Sequence, residues 1–328
     1  MRLSEANLKE CIDSKITVTA VLKAVKTGVA KNGQTFLTLT IRDKDTETEV
    51  KAFNASQALQ EEMVAGKIFD MTVRVAEWNG GVSLILDEHP TENTEYSSEQ
   101  FVECVENYGD IVNRFQALLK EVIDTDYGRV AYKCISDNWE KFRAFPAGRN
   151  QHHTAFGGLL QHSLDVAETA KVLCEQLNTE YGSVICNTKM TVAMALMHDV
   201  MKVNEYTCDM GSGDIGFEVS SSLTYHTVEG AIAVEKACAQ LGITDAFKIN
   251  EMKHLILAHH GKKEFGSPVE PSCIEAYILY ISDTVDAMGW KYFKQYKDLK
   301  EHERATAWNS NAQLIAYYKA TQDNSSEI

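Results

Sequence analysis

Residues 35–53 read TFLTLTIRDKDTETEVKAF. Thr35–Asp43 mixes Phe36, Leu37, Leu39 and Ile41 with β-branched threonine. Glu47–Phe53 alternates apolar and polar positions, as a strand with one buried face does. Working outward, Lys15–Val25 carries Ile16, Val18, Ala20 and Val21, and Lys67–Ala76 and Gly81–Leu86 have the same character. Asn32-Gly33 and Asn79-Gly80 are turn dipeptides. A short helical stretch, Ala55–Met63, separates the third strand from the fourth. Five short strands with one helix after the third is the order of an OB-fold barrel, other small barrels being open on pattern alone.

The polar stretch 91–100, TENTEYSSEQ, reads as a linker. From Phe101 onward the period changes to that of a helix, beginning with FVECVENYGDIVNRFQALLKEVI. Further helical stretches are expected near 129–144, 158–178, 189–202, 227–241, 246–259, 271–288 and 304–321, punctuated by glycine. The expected class is therefore multidomain α and β. A small N-terminal OB-fold β-barrel (1–90) is followed by an all-α helical bundle (101–320) and a polar tail (321–328).

Bulk properties narrow the function. The chain has 328 residues, 32 Lys+Arg against 47 Asp+Glu, and a formal net charge of −15. That balance argues at first sight against nucleic acid, because phosphate contacts need Lys and Arg. The surplus is unevenly spread, however. Residues 15–90 hold nine basic and ten acidic groups, whereas residues 91–128 hold two and nine. The acidic total thus predicts modest affinity and little long-range steering, without excluding a nucleic-acid partner. No run approaches the roughly 18–20 apolar residues that span a bilayer, and the N-terminus has no secretory apolar region. The eight cysteines are scattered with no CxxC pair, as thiols in a reducing compartment are. A cytoplasmic protein without a membrane partner is expected; a homo-oligomer is compatible with the sequence.

Nine of the ten histidines lie beyond residue 100. His162, His198-Asp199, His226, His259-His260 and Asp283 each fall within or at the end of an apolar helical stretch. Imidazole and carboxylate are ligands for borderline metals, and helical bundles build metal sites from side chains on facing helices. Adjacent residues on a helix point about 100° apart. His198 and Asp199 therefore serve one centre only near a helix end, or between two metals.

The order His162, His198-Asp199, Asp283 resembles the HD-domain metal-dependent phosphohydrolase pattern. His226 and the His259-His260 pair resemble variants that hold two metals. The strings NQHHTAFGGLLQHS (150–163), HDVMK (198–202), LAHHGKKEFGSP (257–268), EAYILYISDTVDA (275–287) and the N-terminal KTGVAKNGQTFLTLTIRDK (26–44) are similar to the YhaM-type 3′–5′ exoribonucleases. That family joins an OB-fold to an HD domain, and the resemblance covers roughly residues 15–290. Two departures stand out. Met201 occupies a position where the family often has glycine, and the OB strands lack a strong aromatic ladder, Phe36, Phe53, Phe69 and Trp78 being the clearest aromatics.

The resemblance implies hydrolysis of phosphodiester bonds in single-stranded RNA, or DNA, from the 3′ end, with the barrel binding the strand. It implies two divalent ions, manganese foremost, with iron, cobalt, nickel or zinc as alternatives. Asp199 is the expected bridging ligand. His162, His198 and Asp283 would complete one metal, and His226, His259 and His260 the second. Lys202, three residues after Asp199, shares its helical face and would donate to the scissile phosphate. His153 is the expected leaving-group acid and His152 a phosphate donor. Arg149 and Lys262 flank the same motifs and would bind the trailing backbone. Lys26, Lys31 and Phe36 lie where OB-folds receive oligonucleotides. Two other readings are open: a nucleotidase or cyclic-nucleotide phosphohydrolase acting on small nucleotides, and a non-catalytic nucleic-acid-binding protein.

Overall fold

The computed structural model describes residues 1–299 other than 45, 79, 149–151, 210–213 and 298. The expected helix at 304–321 and the polar tail lie outside the described residues. The chain divides into two compact units, one of residues 1–104 with 207–216, the other of the remainder.

The first unit is a five-stranded closed barrel. Its strands are β1 (Lys15–Val29), β2 (Thr35–Asp43), β3 (Thr46–Ala52), β4 (Ile68–Trp78) and β5 (Gly81–Leu86), with helix α1 (Gln57–Glu62) between β3 and β4. The sheet order is β1-β2-β3-β5-β4, and β1 pairs back onto β4 to close it. Only β3 and β5 run parallel.

Alternation explains the register. Along β2, Leu37, Leu39 and Ile41 are fully buried, while Phe36 and Thr40 face outward. Burying each of the three contributes about 1.5–3 kcal/mol, and a one-residue slip would exchange them for their neighbours. β1 serves two partners: residues 15–21 face β4, and residues 21–29 face β2. A bulge between Leu22 and Ala24 resets the alternation, so Leu22 is buried before it and Lys26 is exposed after it.

The stretch expected as a linker is structured. Thr91–Glu92 forms β6 on the edge of β4, and Phe101 is buried beside Val21 and Ile68. Phe101, expected to open the first helix, instead anchors this segment to the barrel. The Arg2 guanidinium lies 4.0 Å over the Phe101 ring and also binds Asp43, whose carboxylate accepts the Ser4 amide (2.9 Å) and hydroxyl (2.6 Å).

The second unit is helical. It contains α2 (Tyr108–Val122), α3 (Asp126–Asp137), α4 (Trp139–Phe142), α5 (Gly158–Glu180), α6 (Thr188–Met197), α7 (Lys202–Glu205), α8 (Tyr225–Gln240), α9 (Ala246–Ala258) and α10 (Ile274–Lys297). The first helix begins seven residues later than its periodicity suggests, because Asn107 is left-handed (φ 52°) and starts a new direction. Helix α6 is the axis of the bundle. Every residue from Met190 to Met197 is buried, with Asn187 capping its start through the Met190 amide. Strands β7 (Tyr206–Asp209) and β8 (Asp214–Phe217) form a hairpin, and most of it groups with the barrel unit. Its four-residue strands are too short to show a period. No described helix is long and apolar enough to cross a membrane.

Candidate metal centre

Helix α6 ends at His198, and the chain turns at once, the Lys202 amide bonding the Asp199 carbonyl at 2.9 Å. This helix end is what allows both adjacent side chains to face one point: His198 Nε2 lies 3.4 Å from Asp199 Oδ2. Four other elements converge there. α5 brings His162, the start of α8 brings His226, and the turn after α9 brings His259 and His260, while α10 brings Asp283.

The two oxygens of Asp199 divide the site. Oδ2 faces His162 Nε2 at 3.3 Å and His198 Nε2; Oδ1 faces His226 Nε2 at 3.3 Å and His259 Nε2 at 3.5 Å. Asp283 Oδ1 lies 3.3 Å from His162 Nε2. His260 joins Asp199, His226 and His259 in one four-residue group. His162, His198 and His259 are completely buried and Asp199 is 1 % exposed.

Each of the four central rings is oriented from behind. His198 Nδ1–H donates to the Ala195 carbonyl at 2.7 Å, and His259 Nδ1–H donates to the Ile256 carbonyl at 2.6 Å. His162 Nδ1 is 2.6 Å from Asp286 Oδ2. Glu205 Oε1 accepts the His226 amide at 2.8 Å and lies 3.0 Å from its Nδ1. All four Nε2 atoms are thereby turned to Asp199. This leaves Asp199 Oδ1, both ring nitrogens of His226, His259 Nε2 and His260 Nδ1 buried with no hydrogen-bond partner. Buried polar atoms are rarely left so, and a bound ion is one standard reason. The donor set, imidazole nitrogen with carboxylate oxygen, suits borderline divalent metals. The residues therefore fit such ions.

Electrostatics divide the candidate ligands. At His162 burial disfavours the charge, but the Asp199, Asp283 and Asp286 carboxylates outweigh it and hold the ring charged, so an ion binding there would displace its proton, whereas two rings on the other side are neutral. Burial holds His259 below its ordinary range and pushes His260 down to about 2, keeping these imidazoles neutral as ligands must be. Burial likewise holds the His152 ring neutral, with the neighbouring His162 and Lys202 adding to it. At Lys202 burial disfavours the charge, but the Asp199 carboxylate, 2.6 Å from Nζ, outweighs it and holds the ammonium charged.

Of the other residues singled out in the sequence, His152 stacks near His162 with ring centroids 4.8 Å apart. His153 is 4 % exposed, and its Nε2 is directed to Asp286 at 2.9 Å rather than to Asp199. Lys262 is exposed, its ammonium over the Phe265 ring and near Glu264. Arg149 lies outside the described residues. In the barrel unit Lys26 is exposed opposite Thr38, Lys31 sits in the β1–β2 turn, and Phe36 is half-buried beside Phe53, ring centroids 6.3 Å apart. The sequence reading missed Glu205 and Asp286. Asp286 follows Asp283 by three residues on a helix, a same-face spacing that was the available signal.

Residues 159–288 match the family model described as the HD domain. Among solved structures, the chain is similar to a mitochondrial single-stranded DNA binding protein from S. cerevisiae, at 16% identity over 24% of this chain and 92% of that one, TM-score 0.22. It is also similar to the second OB-fold domain of replication protein A from Methanococcus maripaludis, at 17% identity over 29% of this chain and 96% of that one, TM-score 0.23. Downstream of the five-stranded closed barrel, the stretch that holds the histidine and aspartate cluster is thus the part of the chain that is similar to the HD domain.

Proposed function

We propose that this protein is a metal-dependent phosphodiesterase that removes nucleotides from the 3′ end of single-stranded RNA. The observation that carries the reading is the partition of Asp199, one oxygen toward His162 and His198, the other toward His226 and His259. A carboxylate so divided suits a two-ion site, with His162, His198 and Asp283 holding one ion and His226, His259 and His260 the other. Such ions would neutralise charge on the phosphate and activate a water.

The remaining work falls to the chain. Lys202, buried and held charged, binds a non-bridging phosphate oxygen beside Asp199. His152, neutral and with Nε2 buried and unpartnered, contacts the same phosphate. His153 supports this wall of the site through Asp286. On the barrel, outward-facing Phe36 and Phe53 offer stacking faces, and Lys26 and Lys51 lie on the neighbouring strands, opposite Thr38 from either side. Aromatic faces interleaved with cations bind single strands with little sequence preference. Lys31 extends the row.

The burial of the centre also favours a second reading, a nucleotidase that accepts whole small nucleotides. Incubation of 5′-labelled single-stranded RNA with Mn²⁺, beside a panel of mononucleotides, separates the two. Stepwise shortening by the wild type and none by His198→Ala/Asp199→Ala is expected. Release of phosphate from mononucleotides with intact RNA would replace the first reading by the second.

A further inference from the structure

Asp286 is not among the ligands assigned to the two ions above, although with His153 and His162 it forms a group whose atoms lie close enough to hold an ion, and it sits directly behind His162. A single oxygen, Oδ2, is 2.6 Å from His162 Nδ1 and 2.9 Å from His153 Nε2. The side chain is mostly buried, 12 % exposed. Its two partners come from different places in the chain, His162 from α5 and His153 from the segment that precedes it.

His153 is itself fixed from several sides. Its backbone is left-handed (φ 45°), which is costly for a residue with a side chain. Its carbonyl accepts the Ala147 amide at 3.0 Å, and its ring lies 6.0 Å from that of Trp290, one turn beyond Asp286 on α10. Gly158 makes room for this arrangement, because a Cβ there would come within 2.2 Å of the His153 carbonyl oxygen. A strained histidine so surrounded persists only where its contacts over-determine it.

We infer that Asp286 is a positioning residue whose one oxygen sets the His162 ring with Nε2 toward Asp199 and Asp283 and ties that ring to His153. The metal-facing imidazole and the segment carrying His152 then share one anchor. Metal binding at His162 stiffens the 152–153 turn, and loosening the turn weakens metal binding. Both hydrogen bonds end on the same atom, which makes a sharp distinction available. Asparagine retains one oxygen with two lone pairs and accepts both; alanine accepts neither.

This inference rests on the reading of His162 as a metal ligand, and the experiment keeps the two apart. Mn²⁺ binding to the full-length metal-free protein is measured by calorimetry for wild type, Asp286→Asn and Asp286→Ala. Hydrogen exchange at the Ala147 amide is followed with and without Mn²⁺. Alanine is expected to weaken affinity about 10- to 100-fold and to abolish the metal-induced protection of Ala147, and asparagine is expected to recover most of both. Wild-type protein that binds no divalent ion defeats the reading of the site. Wild-type binding with an unaffected alanine variant, or an asparagine variant no better than alanine, overturns the positioning role alone. If Asp286→Ala does not fold, ring ¹⁵N spectra of the wild type decide. A His162 ring protonated on Nδ1 and a His153 ring protonated on Nε2 are expected; a His162 ring without a proton on Nδ1 overturns the inference.

Discussion

At the residue scale, the most exacting arrangement is Lys202 against Asp199. A buried ammonium is tolerated because the carboxylate is 2.6 Å away. If its role is to meet the phosphate, Lys202→Met leaves metal content unchanged by elemental analysis and lowers kcat about 100- to 1000-fold, the cost of one lost transition-state donor. A second residue-scale device lies in the barrel. Burial disfavours the Asp43 carboxylate, but Arg2 and the Ser4 hydroxyl and amide outweigh it and hold its pKa below the ordinary range. The folded value lies below the unfolded one, so this contribution is complete above about pH 4 and is lost as pH falls through the folded value. Asp43→Ala should cost about 2–3 kcal/mol at neutral pH, and this cost should shrink progressively as pH is lowered below about 4, as measured by urea unfolding across that range. The metal-centre residues were legible because histidine beside aspartate at helix positions is unusual. Asp286 and Glu205 were not, since a carboxylate on a helix is ordinarily a solvated one, and only the fold turns these two inward.

At the element scale, glycine decides how helices meet the site. Gly261 follows the His259-His260 pair with φ 77°, and a Cβ there would fall 2.3 Å from the Tyr280 ring of α10. Gly261→Ala combines a left-handed strain with displacement of that ring. A loss of roughly 2–4 kcal/mol is expected by thermal or urea unfolding, with weakened metal binding because His260 is the adjacent residue. Helix α6 is the nearer case: its apolar run was legible, although the helix stops at Met197 and not at the expected 202. An apolar run ending in His-Asp has to be buried along its length and to deliver the pair at its end. The helix boundaries at Asn107 and at the β7–β8 hairpin were not legible, because a backbone reversal at asparagine and four-residue strands leave no periodic trace.

At the scale of the whole molecule, the proposed function gives the two units separable tasks, and the net charge bears on one of them. Three lysines, Lys26, Lys31 and Lys51, are the cations offered by the proposed barrel face. With Lys202 at the scissile phosphate that makes four, and since single-strand binding releases about 0.7 counterion per phosphate neutralised, the slope of log affinity against log salt should be no steeper than about −3. A much steeper slope in a fluorescence titration of labelled RNA would require another basic surface. Phe36→Ala should weaken RNA binding by about 1–3 kcal/mol and leave hydrolysis of a small phosphodiester such as bis(p-nitrophenyl) phosphate unchanged.

The sequence by itself determined the barrel and the bundle, because strand alternation and helical period are local properties of a few residues. It also marked the seven imidazoles and carboxylates that the fold brings together, which lie in or at the ends of five apolar helical stretches. Only the tertiary structure decided how they are used. It divided the oxygens of Asp199, turned His153 away toward Asp286, folded the polar stretch 91–104 onto the barrel through Phe101, and set Phe36 beside Phe53. These are contacts between residues tens to more than a hundred positions apart, and their distances and directions are set by packing, which no local pattern records.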